Sequence, residues 1–294
     1  MLISTQTSVL TKQYGPKEAL KIIKDAGFDC ADFSFFGPIA DEITAPGGEE
    51  FARDLKSYAE SIGMFYNQAH ARFGFSKDEH DNYKRDIVPL MERTIEISSI
   101  LGVDTLVIHP IHHIPYSENK EKLREINLEY YKILEPVAKK YGVRICLENM
   151  FQWDDVEKKI IPSVCGWDGG FIDYFDTLDS DTFTCCLDIG HCGVLGVPAA
   201  DAIRILGHDR LGALHVHDND NVADKHLGIG FGKIDWDSVA KALADIDYSG
   251  IFTLEADNSY FDLQKEFRPA MARYLYESAK AVVDKIEFYK NQAK

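Results

Sequence analysis

At 294 residues the chain is long for an average domain and ordinary for one α/β barrel of roughly 250 residues or more. With 45% hydrophobic and 27% charged residues it can bury a large core, which excludes a disordered chain and a small disulfide-stapled scaffold. The formal net charge of −16 weighs against a nucleic-acid partner, because gripping phosphates takes a basic face, and it serves solubility instead.

Short β-rich runs alternate with helical patterns along the whole chain. Residues 2–5 open as a strand. GPKEALKIIKDAG (15–27) then shows apolar residues at helical spacing and closes on Gly27. CADFSFF (30–36) is the second strand and EEFARDLKSYAESIG (49–63) the helix after it. MFYNQAH ends the third strand at His70, before a long helix over 82–102. TLVIHP carries the fourth strand to His109, and a helix fills 119–141. RICLENM is the fifth strand, ending at Glu148. The stretch 151–170, with Pro162, Gly166, Gly169 and Gly170, reads as an irregular loop or lid, followed by a short helix to about residue 178. TFTCCLDIGH is the sixth strand, ending at Asp188, and a short helix lies near 199–206. LGALHVHD is the seventh; the glycine-rich loop 218–232 leads to a helix beginning near 235. GIFTLEAD is the eighth, and a helical region covers 262–289.

Eight β/α units with no break in composition predict one (β/α)₈ barrel domain over residues 1–294. A doubly wound sheet is the rival, but no GxGxxG follows the first strand. The N-terminal MLISTQTSVL lacks the pattern of a signal peptide, and no apolar run approaches the ~20 residues of a membrane helix; a cytoplasmic protein is expected. The six cysteines form no CxxC pair, which fits reduced, buried thiols. The aromatic C-terminal segment, 286–290, offers a surface on which a second copy can pack to give a homo-oligomer.

Residues at the carboxyl ends of barrel strands converge on one mouth. Here those ends carry His70, His109, Glu148, Asp188 with His191, His215 with His217, and Glu255. Glu148, Asp188, His215 and Glu255 each follow an apolar strand, about one β/α unit apart. A lone member of that set reads as a helix cap or a salt bridge. Three carboxylates buried together need a counter-ion, and a divalent cation supplies it. Oxygen ligands and one imidazole suit Mn²⁺, Mg²⁺, Co²⁺ or Zn²⁺, and the donor types do not choose among them. Of His215 and His217, two apart on one strand face, His215 is taken as ligand and His217 as a contact to substrate or to a ligand. His191 stands just outside its strand, over the mouth, and His226 lies in a loop able to fold over a bound molecule. Phe36, Tyr116, Phe151 and Trp153 near the mouth either fill the core or present ring faces to a sugar. His112 and His113 follow His109 in HPIHH, where one is read as merely exposed; His80 and His208 carry no expected chemistry.

With NQAH, VIHP, CLEN, LDIGH, LHVHDN and LEAD in order, the chain resembles the xylose-isomerase-like TIM-barrel superfamily over essentially its whole length. That resemblance implies sugar isomerase or epimerase chemistry on one divalent metal ion. In the ketose 3-epimerases of the superfamily, positions like Glu148, Asp188, His215 and Glu255 bind the metal, and a histidine like His191 contacts the sugar. Asp154, six residues after Glu148, falls where that group has an acidic sugar contact. The arginine that follows the strand-seven histidine there is replaced by Asn219, Asp220 and Asn221. The mechanism so implied polarises a carbonyl on the metal and passes a proton between Glu148 and Glu255 through an enediolate. His70, His109, His191, His217, His226, Trp153 and Asp154 are the expected substrate contacts, and the substrate is a small sugar or polyol. No arginine-rich phosphate motif is evident, which favours an unphosphorylated one. Two alternatives stay open. One is a lyase similar to the inosose dehydratases. The other is a zinc phosphodiesterase resembling endonuclease IV, which holds three zinc ions with histidines like His70, His109 and His191 and an Asp-x-His pair like Asp224 and His226.

Overall fold

The computed structural model of the chain describes residues 1–167 and 170–292. Its eight principal strands are β1 (Ile3–Gln6), β2 (Cys30–Ser34), β3 (Tyr66–His70), β4 (Thr105–Val107), β5 (Arg144–Glu148), β8 (Phe183–Asp188), β9 (Leu211–His215) and β10 (Phe252–Leu254), with a separate pair, β6 (Phe151–Asp154) and β7 (Lys159–Pro162). The eight lie in one sheet, in the order β10-β1-β2-β3-β4-β5-β8-β9, and every pairing in it is parallel. The last seam closes just beyond β9. Val216 bridges to Leu254, its N–H donates to Thr253 O at 2.9 Å, and Glu255 N–H donates back to Val216 O at 2.9 Å. The fold is therefore the (β/α)₈ TIM barrel that the alternating pattern predicts.

Strands covered on both faces need not alternate apolar and polar residues, and all residues of β1, β2 and β8 are buried. The helices outside bury one stripe each. Pro16–Ala26 turns Ala19, Leu20, Ile22, Ile23 and Ala26 inward, starts on a proline and stops at Gly27, whose φ of 117° is left-handed. Arg268–Gln292 finishes the ring by packing on Trp236–Asp245 and on Pro16–Ala26.

Two register slips shape the barrel wall. Ala31 pairs with Tyr66 but Asp32 pairs with Gln68, so Asn67 is an extra residue on β3. The bulge lets Asn67 and Gln68 share contacts across the barrel: Ser4 Oγ donates to Asn67 Oδ1 at 2.6 Å, and both Asn67 and Gln68 lie 3.2 Å from Thr253 Oγ1. Gln68 Nε2 then donates to Asp32 Oδ2 at 2.8 Å. A similar slip on β9 leaves Gly212 as the extra residue below the mouth.

The stretch read as an irregular loop departs from that expectation. It folds into the β6–β7 hairpin, with Phe151 opposite Pro162 and Asp154 opposite Lys159. Its proline and glycines obscured a two-stranded ladder, in which Pro162 occupies the last position and needs no N–H inside a sheet. Gly169 lies outside the described residues. The short helix Ser8–Tyr14 after β1 and Pro38–Thr44 after β2 were not foreseen either; each spans only 7 residues, too few to display a helical period. All six cysteines are free and buried. Among the described residues no helix is long and apolar enough to cross a membrane.

Candidate metal centre

Glu148, Asp188 and His215 are the last residues of β5, β8 and β9, and Glu255 is the first after β10. Their ligand atoms all lie within 4.8 Å of one another. His215 Nδ1 is 3.2 Å from Glu148 Oε1 and 3.2 Å from Glu255 Oε2. Exposure falls between 0% for Asp188 and 6% for Glu255, so water does not screen the three carboxylates from each other. Among the described residues no lysine or arginine pairs with any of them; every ionic neighbour is a histidine. Three buried carboxylates and one imidazole nitrogen with no fixed cation beside them form a donor set that fits a divalent metal ion.

Two further groups flank the quartet. On one side His109 Nε2 lies 3.0 Å and His70 Nε2 3.7 Å from Glu148 Oε2. On the other, His217 Nε2 lies 3.1 Å from Asp188 Oδ1 and 3.4 Å from Asp224 Oδ1, while Asp224 Oδ2 reaches His226 Nε2 at 2.8 Å and His191 Nε2 at 3.6 Å. Each group brings at least three ligand atoms within 4.8 Å. Of the two histidines on β9 and its extension, His215 joins the quartet and His217 joins Asp188 to the outer group.

Ionisation in this cluster is set by imidazole against carboxylate. Burial alone would raise the Glu148 carboxyl, but His215, His109 and His70 hold it well below the usual range. Asp188 is held down against its burial by His191 and His217, and Asp224 by the nearby His191 and His226 imidazoles. Burial pulls the histidines down, yet Asp188 and Asp224 lift His191 to about 10, and His215 also rises well above the imidazole range among its carboxylates. His109 is the exception: burial outweighs its bond to Glu148 and keeps it below that range.

Several residues that the sequence reading did not single out build this geometry. Asn149, fully buried beside Glu148, ties β5 to β8: Asp188 N–H donates to its Oδ1 at 2.7 Å, its Nδ2 donates to Asp188 O at 3.0 Å, and its carbonyl lies 2.7 Å from His191 Nδ1. Gln6 Nε2 donates to Glu255 Oε1 at 2.8 Å. Asp32 Oδ2 stands 3.7 Å behind His215 Nε2, the nitrogen turned away from the quartet. Asp32 is fully buried, and nothing in the run CADFSFF marks it as the partner of His215. His226 is held at φ 45°, uncommon for a non-glycine residue, with its ring flat on His217 at 4.1 Å and 8°. The loop carrying it is tied down by Asp218, which accepts from Gly230 N–H, Ile234 N–H and Trp236 Nε1.

A cavity of about 520 Å³ opens over the cluster, lined at its inner end by His70, His109, Glu148, His191, Asp224, His226 and Glu255. Phe151 lines it too, its ring edge-on to His191 at 4.9 Å. Trp153 and Asp154 are not among its lining residues. Trp153 is 54% exposed on β6, and Asp154 Oδ1 accepts from Val156 and Glu157 N–H at 2.8 Å, fastening the hairpin turn.

A barrel whose strand ends converge on buried carboxylates and histidines matches the family model described as xylose isomerase-like TIM barrel over residues 20–291, and the chain belongs to that family. It is 28% identical over 183 residues to an uncharacterized protein of Methanocaldococcus jannaschii, a match covering 61% of this chain and 59% of the relative. The chain thus spans about three-fifths of the length of the first curated relative it matches. Among solved structures it superposes on a D-tagatose 3-epimerase-like protein with TM-score 0.75 and 20% identity, over 100% of both chains. On the IolI protein crystallised with a zinc atom the TM-score is 0.70 and the identity 19%, over 98% of this chain and 99% of the other. At these identities the likeness is one of fold.

Proposed function

We propose that the protein is a divalent-metal-dependent carbohydrate isomerase or epimerase that moves a proton at a carbon next to a carbonyl. The observation that carries this reading is the placement of Glu148 and Glu255. Their strands stand three steps apart around an eight-strand ring, both side chains line the cavity, and both come within 3.2 Å of His215. Two carboxylates facing one cavity from different walls can serve opposite faces of a bound carbon, one removing a proton and the other returning it. A divalent cation among Glu148, Asp188, His215 and Glu255 supplies the Lewis acidity that a carbonyl and its neighbouring hydroxyl need. The protein's own residues do the rest. Gln6 fixes the Glu255 carboxylate, Asn149 fixes Asp188 and His191, and His191 offers its Nε2 to sugar hydroxyls while His226 is held by Glu255 O and Asp224. Phe151 and Phe73 give the cavity apolar walls that limit water around the reacting carbon. The D-tagatose 3-epimerase-like and IolI structures support the assignment by fold, and the zinc in the latter supports a metal.

The test is elemental analysis of the purified protein, followed by a panel of ketoses and inososes in deuterium oxide. One metal ion per chain and deuterium entering one carbon of a ketose are expected. Glu148→Gln and Glu255→Gln should each lower that exchange ~10²-fold or more. Full turnover by metal-loaded Glu148→Gln would end the assignment.

One observation favours a second reading. The flanking groups, His70–His109–Glu148 and His191–His217–Asp224–His226, are each able to hold an ion of their own, as a three-zinc phosphodiesterase acting on abasic DNA requires. Three zinc ions per chain with cleavage of an abasic duplex, and no exchange into any sugar, would replace the first reading with this one. The net charge of −16 speaks against it.

A further inference from the structure

The cavity has a second end that the chemistry above leaves unused. Beyond His109 it is walled by His112 and His113 of the HPIHH loop and by Arg72, Lys77 and His80 of the segment after β3. Its polarity is divided. Among the described residues, the carboxylates lining the cavity, Glu148, Asp224 and Glu255, belong to the metal end, and the outer wall contains none. In a chain of net charge −16, a wall whose described lining residues bring two cations, three imidazoles and no carboxylate departs locally from that sign, with Asp81 and Asp41 standing behind it on His113 and Arg72.

The outer groups are also short of partners. No protein atom hydrogen-bonds a ring nitrogen of His80 or His112 among the described residues, and the Nδ1 atoms of His80, His112 and His113 are buried and unpaired. Unpaired buried polar atoms cost free energy unless a ligand or water completes them. Only His113 Nε2 is engaged, at 2.8 Å from Asp81 Oδ1, and its ring stacks on His80 at 5.0 Å. Lys77 has no ionic partner among the described residues, and Arg72 has one at the rim, Asp41 at 3.3 Å. Burial lowers the His80 imidazole to about 4, so it meets a ligand as a neutral group and the fixed charge is that of Arg72 and Lys77.

We propose that this outer wall is a subsite for an oxyanion, a phosphate ester or a carboxylate, carried by the sugar at the end remote from the reacting carbon. The inference rests on the isomerase reading for the word sugar, and it departs from the unphosphorylated substrate that the lack of an arginine-rich motif favours. The motif is missing because the wall is assembled from two segments, after β3 and after β4, each contributing basic or imidazole groups that are unremarkable in sequence.

The test compares D-fructose, D-fructose 6-phosphate and D-fructuronate as ligands of the metal-loaded protein by calorimetry. Wild type should bind at least one anionic sugar about tenfold or more tightly than D-fructose, and which one identifies the oxyanion. Arg72→Gln/Lys77→Gln should erase most of that preference, and His80→Gln should weaken it. An anion that bound the metal ions instead would keep its advantage in the double variant, and that result overturns the subsite. So does D-fructose binding as tightly as both anions. Anion preference lost in the double variant, with no deuterium exchange into any ketose, would leave the subsite standing and remove the isomerase reading. Exchange into a neutral ketose with no anion preference would do the reverse.

Discussion

Between Asp188 and His191 stands Gly190, and its missing side chain is what lets His217 lie against Asp188. A Cβ on Gly190 would fall 1.9 Å from His217 Cε1. Gly190→Ala must therefore push the imidazole off Asp188 and off His226, while the barrel core is untouched. Turnover is expected to fall about tenfold or more with only a small loss of thermal stability; unchanged turnover would show that the position of His217 does not matter. His112, half-buried in the cavity wall, makes a different prediction. Burial lowers its imidazole from the ordinary 6.5 to about 3, so the unfolded chain takes up a proton near pH 6.5 that the folded chain refuses. The stability tied to it is complete above pH 6.5 and is lost as the pH falls through that value, by about 1–2 kcal/mol between pH 7 and pH 5. Urea titrations should show a flatter dependence over that range for His112→Gln, and parallel curves would contradict the assignment. At this scale the quartet was legible in the sequence because each member ends an apolar run at a strand terminus. Asn149 and Asp32 were not, since a polar residue's burial and partners are set by strands far away in the chain.

The β6–β7 hairpin does more than add Phe151 to the cavity wall. Gln152 on β6 accepts from Tyr116 N–H at 2.9 Å and donates to His112 O at 3.2 Å and Ile114 O at 3.1 Å, so one side chain fastens the loop after β4. Gln152→Ala removes three hydrogen bonds, worth roughly 1–3 kcal/mol in all. Amide exchange at Tyr116 should then quicken and the melting temperature drop by several degrees; protection equal to wild type would assign the fastening elsewhere. The eight principal strands and their long helices were readable because their apolar patterns run for many residues. The hairpin was not, because a two-stranded ladder of four residues each, holding a proline and half-exposed throughout, carries no clean alternation. Trp153 and Asp154 fall on this hairpin rather than on the cavity wall. Counting from Glu148 assumes a loop running along the mouth, whereas the hairpin turns Trp153 to solvent and spends Asp154 on its own turn.

Viewed as one molecule, the barrel keeps most of its charge at the surface and gathers a knot of buried carboxylates at one end. The parallel strands force this convergence, since all eight point their carboxyl ends the same way. Such a knot should make folding depend on a divalent ion bound among its carboxylates. Chelation is expected to lower the melting temperature by several degrees and added Mn²⁺ to restore it, because a ligand of the folded state alone stabilises by mass action. Glu255→Gln, with one buried charge fewer, should narrow the gap between the metal-free and metal-loaded forms. The most direct measurement is anomalous diffraction at the manganese edge from crystals grown with Mn²⁺. A peak within ~2.0–2.3 Å of donor atoms from Glu148, Asp188, His215 and Glu255 is predicted. No peak there, or one bound only by surface acids, would contradict the account.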